Sequence, residues 1–370
     1  MQNHLCTYLM VNGNEINRKE KMKKGTINQC IITLTRNCNL RCKFCYAKGT
    51  GYIENDFIEY DDLKRIVDFC NDIEINDIVF SGGEPSLYPN LIDILKYIRS
   101  RKRVMSVSMS TNGIRLANYA YCKQLVDNGI KYIDISIKGK DEHECLKMAG
   151  HDCLESQLNA IRNLSGLPVI LTCSMVLTND NVYGVCDTIK RAYDCGARQF
   201  SFSFALDNQK SVESDLQYLK RHNPFPVIDA FVAQIDQLDV ITEGQWWIEY
   251  TFPLCVYTRE QLLLLEGRLA SPCQIFNGLG ITLDTKKNLI PCSMYFENAI
   301  GQYGQDFSSV DEFELWVEQE SYKSTIDNLN KLPSTDCLSC ELLERCNGGC
   351  PIFWKNCSFE AFKIFREQYR

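Results

Sequence analysis

Three cysteines, Cys38, Cys42 and Cys45, have the residue type and spacing best suited to chemistry in this chain. They stand in the string CNLRCKFC, directly after a β-rich apolar run, so that three thiolates can reach one small volume. An iron–sulfur cluster is normally held by four cysteine thiolates. Three protein ligands would leave one iron open to a molecule that is not protein, and we expect the reaction there. A zinc site usually shows paired C-x2-C spacings and four ligands instead.

The overall composition limits the classes of partner. The 370 residues are 45% hydrophobic and 24% charged, which is typical of a globular protein with a sizeable core. A formal net charge of -7 argues against a surface that follows nucleic-acid phosphates. We see no apolar run of the roughly 18 residues that a membrane span needs, and no export signal at the N-terminus. We therefore expect a cytoplasmic protein with neither a membrane nor a nucleic acid as its partner.

The twenty cysteines are unusual for a chain of this length. Disulfide-rich secreted proteins are small and loop-rich, so we interpret this chain as a reduced protein with metal-binding thiolates. Several cysteines fall among apolar residues at helical spacing and are expected to fill the core. These are Cys70, Cys122, Cys145, Cys153, Cys186 and Cys195.

Strand-like and helix-like stretches alternate from about residue 28 to 250. Six such repeats predict a parallel sheet, curved or closed, with helices outside it. The predicted strands are Cys30–Thr35, Asp77–Phe80, Val104–Ser110, Tyr132–Ile137, Pro168–Val176 and Gln199–Phe204. The helical stretches between them are 61–73, 91–99, 117–128, 153–164 and 181–193. After about residue 252 the alternation stops, so we place a boundary near residue 251.

Three chemically distinctive segments each follow a predicted strand directly. They are the cysteine trio, Gly82-Gly83-Glu84 and Ser110-Thr111-Asn112. Ligands of such folds gather at the carboxyl ends of the strands, so we expect the three segments to face the same opening. The glycine pair is also consistent with an ordinary turn, in which Gly supplies a positive φ and Pro85 ends the strand.

The trio resembles the C-x3-C-x-φ-C motif of radical S-adenosylmethionine enzymes, with Phe44 as the aromatic φ. In that family the amino and carboxylate groups of S-adenosylmethionine chelate the open iron of a 4Fe–4S cluster. An electron from the cluster releases a 5′-deoxyadenosyl radical, which takes a hydrogen atom from the substrate. The resemblance implies both cofactors here, together with an electron donor of the flavodoxin or ferredoxin type.

Further cofactor contacts are implied by the same resemblance. The family's GGE motif, whose backbone holds the amino group of the cofactor, is matched by Gly82, Gly83 and Glu84. Polar contacts to the ribose and carboxylate are implied for Ser110, Asn112 and Ser136, with Lys138 as a further candidate. The alternative role for these polar residues is ordinary capping at strand ends.

The C-terminal cysteines make a second pattern, Cys337-x2-Cys340-x5-Cys346-x3-Cys350, which resembles the SPASM extension of peptide- and protein-modifying radical enzymes. In that extension two cysteines precede the run and one follows it. The resemblance implies one or two auxiliary 4Fe–4S clusters, held by Cys273, Cys292 and Cys350 and by Cys337, Cys340, Cys346 and Cys357. Two features depart from the family: Lys287 replaces a usual Gly, and the gap from Cys350 to Cys357 is short. One zinc ion held by the four cysteines of the run is the alternative.

Cys255 is the ambiguous residue of this pattern, because it lies before the extension. It could be the fourth ligand of the nearer auxiliary cluster. It could also be a free thiol at the barrel mouth that donates a hydrogen atom to a substrate radical, which makes it a candidate catalytic residue. The third possibility is a simple core residue.

We therefore expect an α/β fold in three parts. They are an N-terminal extension (1–27), a partial (β/α)6, TIM-like radical SAM barrel (28–251) and a small cysteine-rich α+β SPASM domain (252–370). The expected reaction is hydrogen abstraction from a peptide or small protein, with a ribosomally synthesised peptide as the first choice, leading to a crosslink or an epimer. The first 27 residues are too few for a winged-helix leader-binding domain. Leader recognition would then fall to the barrel or to a separate protein.

Three alternatives remain at the level of sequence. The same 5′-deoxyadenosyl radical could instead react with a sulfatase-type serine or cysteine residue, or with a small sugar or cofactor precursor. The chain could instead be a non-catalytic zinc-binding module. An electron-transfer iron–sulfur protein is the third, and it is disfavoured because the first trio lacks a fourth ligand.

Overall fold

The computed structural model describes residues 22–50, 53–103, 105–249, 252–270, 273 and 278–370. Most of the expected N-terminal extension lies outside these residues. So do Val104, the predicted start of the third strand, and residue 251, where we placed the boundary.

The described strands form one continuous sheet. They are β1 Gln29–Thr35, β2 Asp77–Gly82, β3 Ser106–Thr111, β4 Ile130–Ser136, β5 Ile170–Leu177, β6 Phe200–Phe204, β7 Trp246–Glu249, β8 Leu269–Ala270, β9 Gly280–Leu283, β10 Asn288–Ile290 and β11 Gly301–Gln302. The first six correspond to the predicted strands. Their order is β11-β10-β9-β1-β2-β3-β4-β5-β6-β7-β8.

Neighbouring strands from β1 to β8 are parallel. The alternating sequence predicted the first six of them, whereas β7 and β8 were not predicted, and β8 continues the parallel sheet beyond the expected boundary. Beyond the predicted boundary, β9 pairs in parallel with the outer edge of β1. The strands β9, β10 and β11 then run antiparallel to one another. The C-terminal part of the chain therefore extends the sheet of the barrel on the side of the strand that leads into the cysteine trio.

Helices connect the strands and cover one face of the sheet. Those between β1 and β6 are α1 Tyr60–Asp72, α2 Leu91–Arg99, α3 Tyr119–Asp127, α4 Glu142–Ala149, α5 Leu154–Ser165 and α6 Val185–Asp194. Between β6 and β8 lie α7 Asp215–Arg221, α8 Phe225–Val232, α9 Ile235–Thr242 and α10 Arg259–Leu264. After β11 follow α11 Val310–Val317, α12 Glu320–Leu329, α13 Leu343–Cys346 and α14 Phe359–Tyr369.

Residues alternate along the strands between a fully buried face and a partly open one. In β1 the buried side chains are Cys30, Ile32 and Leu34, and the residues between them are half-buried. In a parallel sheet covered on both faces, strands read as continuous apolar runs. Here the second face is rich in serine and acidic residues, so it lines the interior of a partial barrel. The predicted α/β barrel architecture is confirmed.

The cysteines expected to fill the core are placed as predicted. Five of the six are buried and Cys195 is half-buried. Each buried thiol packs as a small apolar side chain. Among the described residues, no helix is long and apolar enough to cross a membrane.

Candidate active site at the barrel mouth

The loop that carries the cysteine trio is held by the end of α4. The Arg41 backbone N–H donates to Ala149 O at 2.7 Å, and that of Lys43 donates to Met148 O at 2.9 Å. The helix stops at Gly150, whose φ of 72° is easily adopted only by glycine. Carbonyl groups left free at the helix end are thus satisfied by the cysteine loop.

The thiol of Cys38 is surrounded by N–H groups. The Leu40 backbone N–H donates to Cys38 Sγ at 3.4 Å, and Asn112 Nδ2 lies 4.0 Å from the same sulfur. Burial raises the pKa of Cys38 to about 12, and the charges of Glu84, Cys42 and Cys45 act in the same direction. Metal ligation needs the thiolate, and N–H donors favour that form. The donor set of the trio therefore fits an iron–sulfur cluster.

The three thiols are near enough to act on one another but do not converge on a point. Among the described residues, no group of three or more His, Cys, Asp or Glu side chains is arranged to hold a single metal ion. In a 4Fe–4S cluster each thiolate binds a different iron, so its ligands need not meet at one centre.

The glycine pair after β2 packs directly on the backbone of the cysteine loop. A Cβ at Gly82 would lie 2.3 Å from Thr35 O, and one at Gly83 would lie 2.3 Å from Asn37 O. The Gly83 N–H donates to Thr35 O at 2.7 Å, and the Glu84 N–H donates to Asn37 O at 2.8 Å. A side chain at position 82 or 83 would collide with the neighbouring backbone, so the close approach of the two loops requires the glycine pair.

The carboxylate of Glu84 joins the second loop to the third. It is 1% exposed and accepts hydrogen bonds from Ser86 N at 3.0 Å, Thr111 Oγ1 at 2.6 Å and Asn112 N at 2.7 Å. Because both oxygens are used inside the protein, this side chain positions the loops. The loops after β1, β2 and β3 therefore form one interlocked unit, as their places in the sequence predicted.

The predicted residues Phe44 and Ser136 meet at Lys138. Lys138 Nζ donates to Ser136 Oγ at 2.6 Å and lies 5.3 Å from the centre of the Phe44 ring. The same cation opposes the rise in the pKa of Cys42 that burial causes. This buried lysine thus links the end of β4 to the cysteine loop.

Gln157 on α5 is a positioning residue that the sequence analysis missed. Its Nε2 donates to Asn112 O and Ser136 O, both at 2.8 Å, and its Oε1 accepts from Lys138 N at 3.2 Å. The side chain is 2% exposed. A glutamine between Leu154 and Leu158, on the buried stripe of an amphipathic helix, was the available signal.

Two acidic residues face the barrel interior. Asp134 Oδ2 accepts from Ser174 Oγ at 2.8 Å and from Ser110 Oγ at 3.3 Å, while Oδ1 is buried and has no partner among the described residues. Burial raises the pKa of Asp134 to about 6. Burial, and then the charge of Asp134, raises the pKa of Glu249 to about 7. The side chain of Glu249 nevertheless keeps an exposed surface, and the sequence analysis did not predict this residue as part of the site.

The C-terminal cysteines fall into two sets. The first set is Cys273, Cys292 and Cys350. The pKa of Cys350 is raised to about 12, mainly by burial, and the charges of Cys273 and Cys292 act in the same direction. Both of these thiols therefore lie near Cys350. The second set is Cys337, Cys340 and Cys346. Burial raises the pKa of Cys346, and the charges of Cys337 and Cys340 act in the same direction, so the three thiols lie near one another. The first set contains the three residues that the sequence pattern implied for one cluster, and the second contains three of the four implied for the other. That either set binds a cluster stays a prediction.

The remaining two cysteines differ in their surroundings. Burial raises the pKa of Cys255 to about 12, with Cys346 and then Cys337 adding to the rise, so Cys255 lies at the second set. Cys357 is 5% exposed and donates to Phe353 O at 3.5 Å. After burial, the group that raises its pKa is Asp215.

Tyr46 is close to one cysteine of the trio, Cys45, and to one of the first C-terminal set, Cys292. Burial raises the pKa of Tyr46 to about 12, and the charges of Cys45 and Cys292 act in the same direction. A cavity of about 300 Å³ opens beside this tyrosine, between Gly83 and the hairpin of β9 and β10. Asn208 bridges the two parts, because its Nδ2 donates to Tyr46 O and to Met294 O, both at 3.0 Å.

The family to which this site belongs is given by a match to a protein-family model. The model described as "Radical SAM superfamily" matches residues 32–192, which span β1 to α6. This segment belongs to the radical SAM superfamily. The match contains the cysteine trio, the glycine pair and Ser136. A 4Fe–4S cluster and S-adenosylmethionine are the cofactors that the superfamily implies.

Curated relatives of the radical SAM segment include GTP 3′,8-cyclases. The chain is 30% identical over 204 residues to a probable GTP 3′,8-cyclase of Thermoplasma volcanium, a match that covers 55% of this chain and 61% of the relative. It is 28% identical over 281 residues to the GTP 3′,8-cyclase of Aliarcobacter butzleri, covering 73% and 80%. The chain spans 61% and 50% of the length of the first two relatives it matches.

Solved structures with the same fold include SuiB and anSMEcpe. SuiB of Streptococcus suis bound to its precursor peptide SuiA has a TM-score of 0.64 at 16% identity, covering 88% of this chain and 72% of SuiB. The protein anSMEcpe with bound AdoMet has a TM-score of 0.66 at 18% identity, covering 92% and 96%. At these identities the likeness establishes the fold.

Proposed function

We propose that this protein is a radical SAM enzyme that abstracts a hydrogen atom from a peptide or small protein, with a ribosomally synthesised peptide as the preferred substrate. The observation that carries the proposal is the interlocked mouth of the barrel, where Gly82 and Gly83 pack on the backbone of Thr35 and Asn37, directly before the cysteine trio. When bound there, the 4Fe–4S cluster and S-adenosylmethionine supply a 5′-deoxyadenosyl radical.

The chain's own residues would bind and orient that cofactor. An amino group donates hydrogen bonds, so the acceptors in the GGE loop are its backbone carbonyl oxygens, while the Glu84 side chain fixes the loop. Ser110, Asn112 and Ser136 supply polar side chains at the ends of β3 and β4. Lys138 Nζ lies over the ring of Phe44, which places this aromatic residue between the second and third cysteines at the end of β4.

The substrate would enter the polar interior of the barrel. Ser110, Asp134, Ser174 and Glu249 offer hydrogen-bonding groups there, and Asp134 Oδ1 is an acceptor that a donor on the substrate could satisfy. A buried acceptor without a partner is costly, so an incoming donor gains free energy by filling it. Crosslink formation and epimerisation both begin with hydrogen abstraction from such a bound peptide.

Peptide substrates are favoured by the structural neighbours. SuiB is described with its precursor peptide SuiA, and anSMEcpe with the peptide Cp18Cys. We propose one or two auxiliary clusters on the C-terminal cysteine sets, which would make that part a SPASM domain. An external electron donor of the flavodoxin or ferredoxin type and a separate leader-binding protein complete the proposal.

A nucleotide substrate is the second candidate, because the curated relatives are GTP 3′,8-cyclases. The acidic groups of the barrel interior argue against it. The pKa values of Asp134 and Glu249 are raised to about 6 and about 7, so both side chains keep part of their negative charge at neutral pH, and that charge repels a triphosphate. Incubation with GTP, followed by analysis for a cyclised product, tests this candidate directly.

The test of the proposed function is production of 5′-deoxyadenosine by anaerobically reconstituted protein. With S-adenosylmethionine and a reductant, the wild-type protein is expected to release 5′-deoxyadenosine, detected by chromatography and mass spectrometry. Single changes Cys38→Ala, Cys42→Ala and Cys45→Ala should each reduce the product to the level without enzyme. Cys195→Ala is the matched control and should retain activity, because it removes a half-buried thiol directly after the last residue of α6. Undiminished product in the trio variants would contradict the proposal.

A further inference from the structure

The segment before Cys255 is bound to the C-terminal cysteine run. The Leu254 backbone N–H donates to Cys346 Sγ at 3.3 Å. On the other side of this turn, Pro253 packs so closely on Gly349 that a Cβ at Gly349 would lie 2.6 Å from Pro253 Cγ. Gly349 has a φ of 80°, which also favours glycine. Two independent contacts therefore fix the turn that carries Cys255 against the loop that carries Cys346.

The three cysteines of the second set are presented by consecutive tight turns. The Cys340 N–H donates to Cys337 O at 3.2 Å, and the Cys346 N–H donates to Leu342 O at 2.8 Å. The helix α13 then ends at Asn347, whose φ is 48°. The three cysteines are thus held by local turns of the backbone, and the thiol of Cys346 contacts the residue before Cys255.

Cys357 is held elsewhere by its neighbour Asn356. Asn356 Nδ2 donates to Gln209 O at 2.8 Å, and its Oδ1 accepts from Ser211 N at 2.7 Å. The next residue, Ser358, donates to Asp215 through both its N–H and its hydroxyl. Residues on both sides of Cys357 are therefore tied to the segment around α7.

The thiol of Cys357 itself is part of the aromatic core. It belongs to the buried cluster that includes Phe353 and Phe362, and its S–H is used by Phe353 O. Only six residues separate Cys350 from Cys357, and the short turn Phe353–Lys355 occupies half of them. Cys357 is therefore held in the aromatic core by its own hydrogen bond and by the packing around it.

We propose that Cys255, rather than Cys357, completes a four-thiolate iron–sulfur site with Cys337, Cys340 and Cys346. The inference rests on the proposed function, because that function supplies the expectation of auxiliary clusters. The four residues are thiols, the soft ligands that iron–sulfur clusters require. The sequence pattern alone assigned the fourth position to Cys357, whereas the contacts of this chain assign it to Cys255.

The experiment compares the two single variants in a background without the radical site. The full chain carrying Cys38→Ala, Cys42→Ala and Cys45→Ala is purified and reconstituted anaerobically, so that the remaining iron belongs to the C-terminal sets. Into it we introduce Cys255→Ala or Cys357→Ala. Iron and sulfide per chain and the EPR spectrum of the dithionite-reduced protein are measured.

The Cys255→Ala variant is expected to lose iron, by up to about four atoms per chain for one whole cluster, and to change the EPR spectrum. The Cys357→Ala variant is expected to keep the iron content and spectrum of its parent, with only a lower melting temperature. If Cys255→Ala does not fold, as judged by circular dichroism, Cys255→Ser replaces it. The hydroxyl nearly preserves size and is expected to shift the spectrum without removing the cluster.

Three outcomes would overturn the proposal. The first is a loss of iron in Cys357→Ala with none in Cys255→Ala, and the second is an identical spectrum in all three proteins. The third is zinc in place of iron in the parent. Because the parent lacks the trio, any of these results leaves the 5′-deoxyadenosine test of the proposed function intact. If no 5′-deoxyadenosine is produced but Cys255 proves to be a cluster ligand, the radical function is rejected and the assignment of Cys255 stands.

Discussion

At the scale of single residues, the site combines side chains that offer chemistry with side chains that hold them in place. Cys38 and Asn112 meet at the mouth of the barrel, but Gln157 fixes the backbone on which Asn112 and Ser136 depend. A motif identifies residues of the first kind. Residues of the second kind are recognised only through their contacts, because a glutamine in a helix has no characteristic spacing.

Asp134 should make the folding stability depend on pH in a defined direction. Its pKa in the folded protein is raised to about 6 from an ordinary value of 3.8, so the folded state holds the proton longer than the unfolded state. The protonated carboxyl group therefore contributes fully to the free energy of unfolding below about pH 4, and this contribution is lost as the pH rises through about 6. We expect Asp134→Asn to remove this loss, raising the melting temperature relative to wild type at pH 7 but not at pH 4.5.

Asp215 provides a control of opposite sign. Hydrogen bonds from Ser358 lower the pKa of Asp215 below its ordinary value of 3.8. The ionised carboxylate therefore contributes to folding stability at neutral pH, and this contribution is lost only as the pH falls below about 4. Asp215→Asn should therefore lower the melting temperature by a nearly constant amount between pH 5 and 7. A pH profile of Asp134→Asn parallel to wild type would show that the carboxyl group is not held protonated by its surroundings.

At the scale of elements, the active mouth depends on how closely the loops after β1 and β2 approach. Gly83→Ala would place a methyl group 2.3 Å from Asn37 O, and backbone cannot yield as a flexible side chain does. We expect a loss of about 1–3 kcal/mol in the free energy of unfolding, as overpacked sites show. Reconstituted protein should also hold less iron, because the cysteine loop is displaced. Chemical denaturation and iron analysis measure the two effects.

Gly166→Ala is the matched control for that substitution. The nearest atom to a Cβ at Gly166 is Asn163 O at 3.9 Å, an ordinary contact, and its φ is negative. The change should alter the free energy of unfolding by no more than about 0.5 kcal/mol and leave the iron content unchanged. Equal effects of the two substitutions would mean that the close approach of the loops is unimportant.

At the scale of the whole molecule, the C-terminal part is attached to the barrel at the trio itself. The strand β9 extends β1. Asn208 donates to both Tyr46 O and Met294 O, and its own carbonyl accepts from Lys355 Nζ at 2.6 Å. The loop of the cysteine trio and the segment after Cys292 are therefore joined by one side chain.

Asn208→Ala should loosen this attachment without unfolding the barrel. Two carbonyl groups lose their donor, which costs about 1–3 kcal/mol per buried group left unsatisfied. We expect faster amide hydrogen exchange around residues 45–48 and 293–297, with unchanged exchange in β3 to β5. Asn159→Ala, which removes an exposed contact to Arg162, is the control and should change neither region. Uniformly faster exchange in both variants would indicate a general loss of stability.

The sequence by itself determined the alternation of strands and helices, the trio and the glycine pair, because periodicity and spacing are local properties of the chain. Strand ends agree with prediction to within two residues. Only the tertiary structure decided which distant residues meet: β9 beside β1, Glu249 near Asp134, and Cys255 rather than Cys357 beside Cys346. Cys255 and Cys346 are 91 positions apart. Contacts over such separations depend on the packing of every element between them, which no local pattern records.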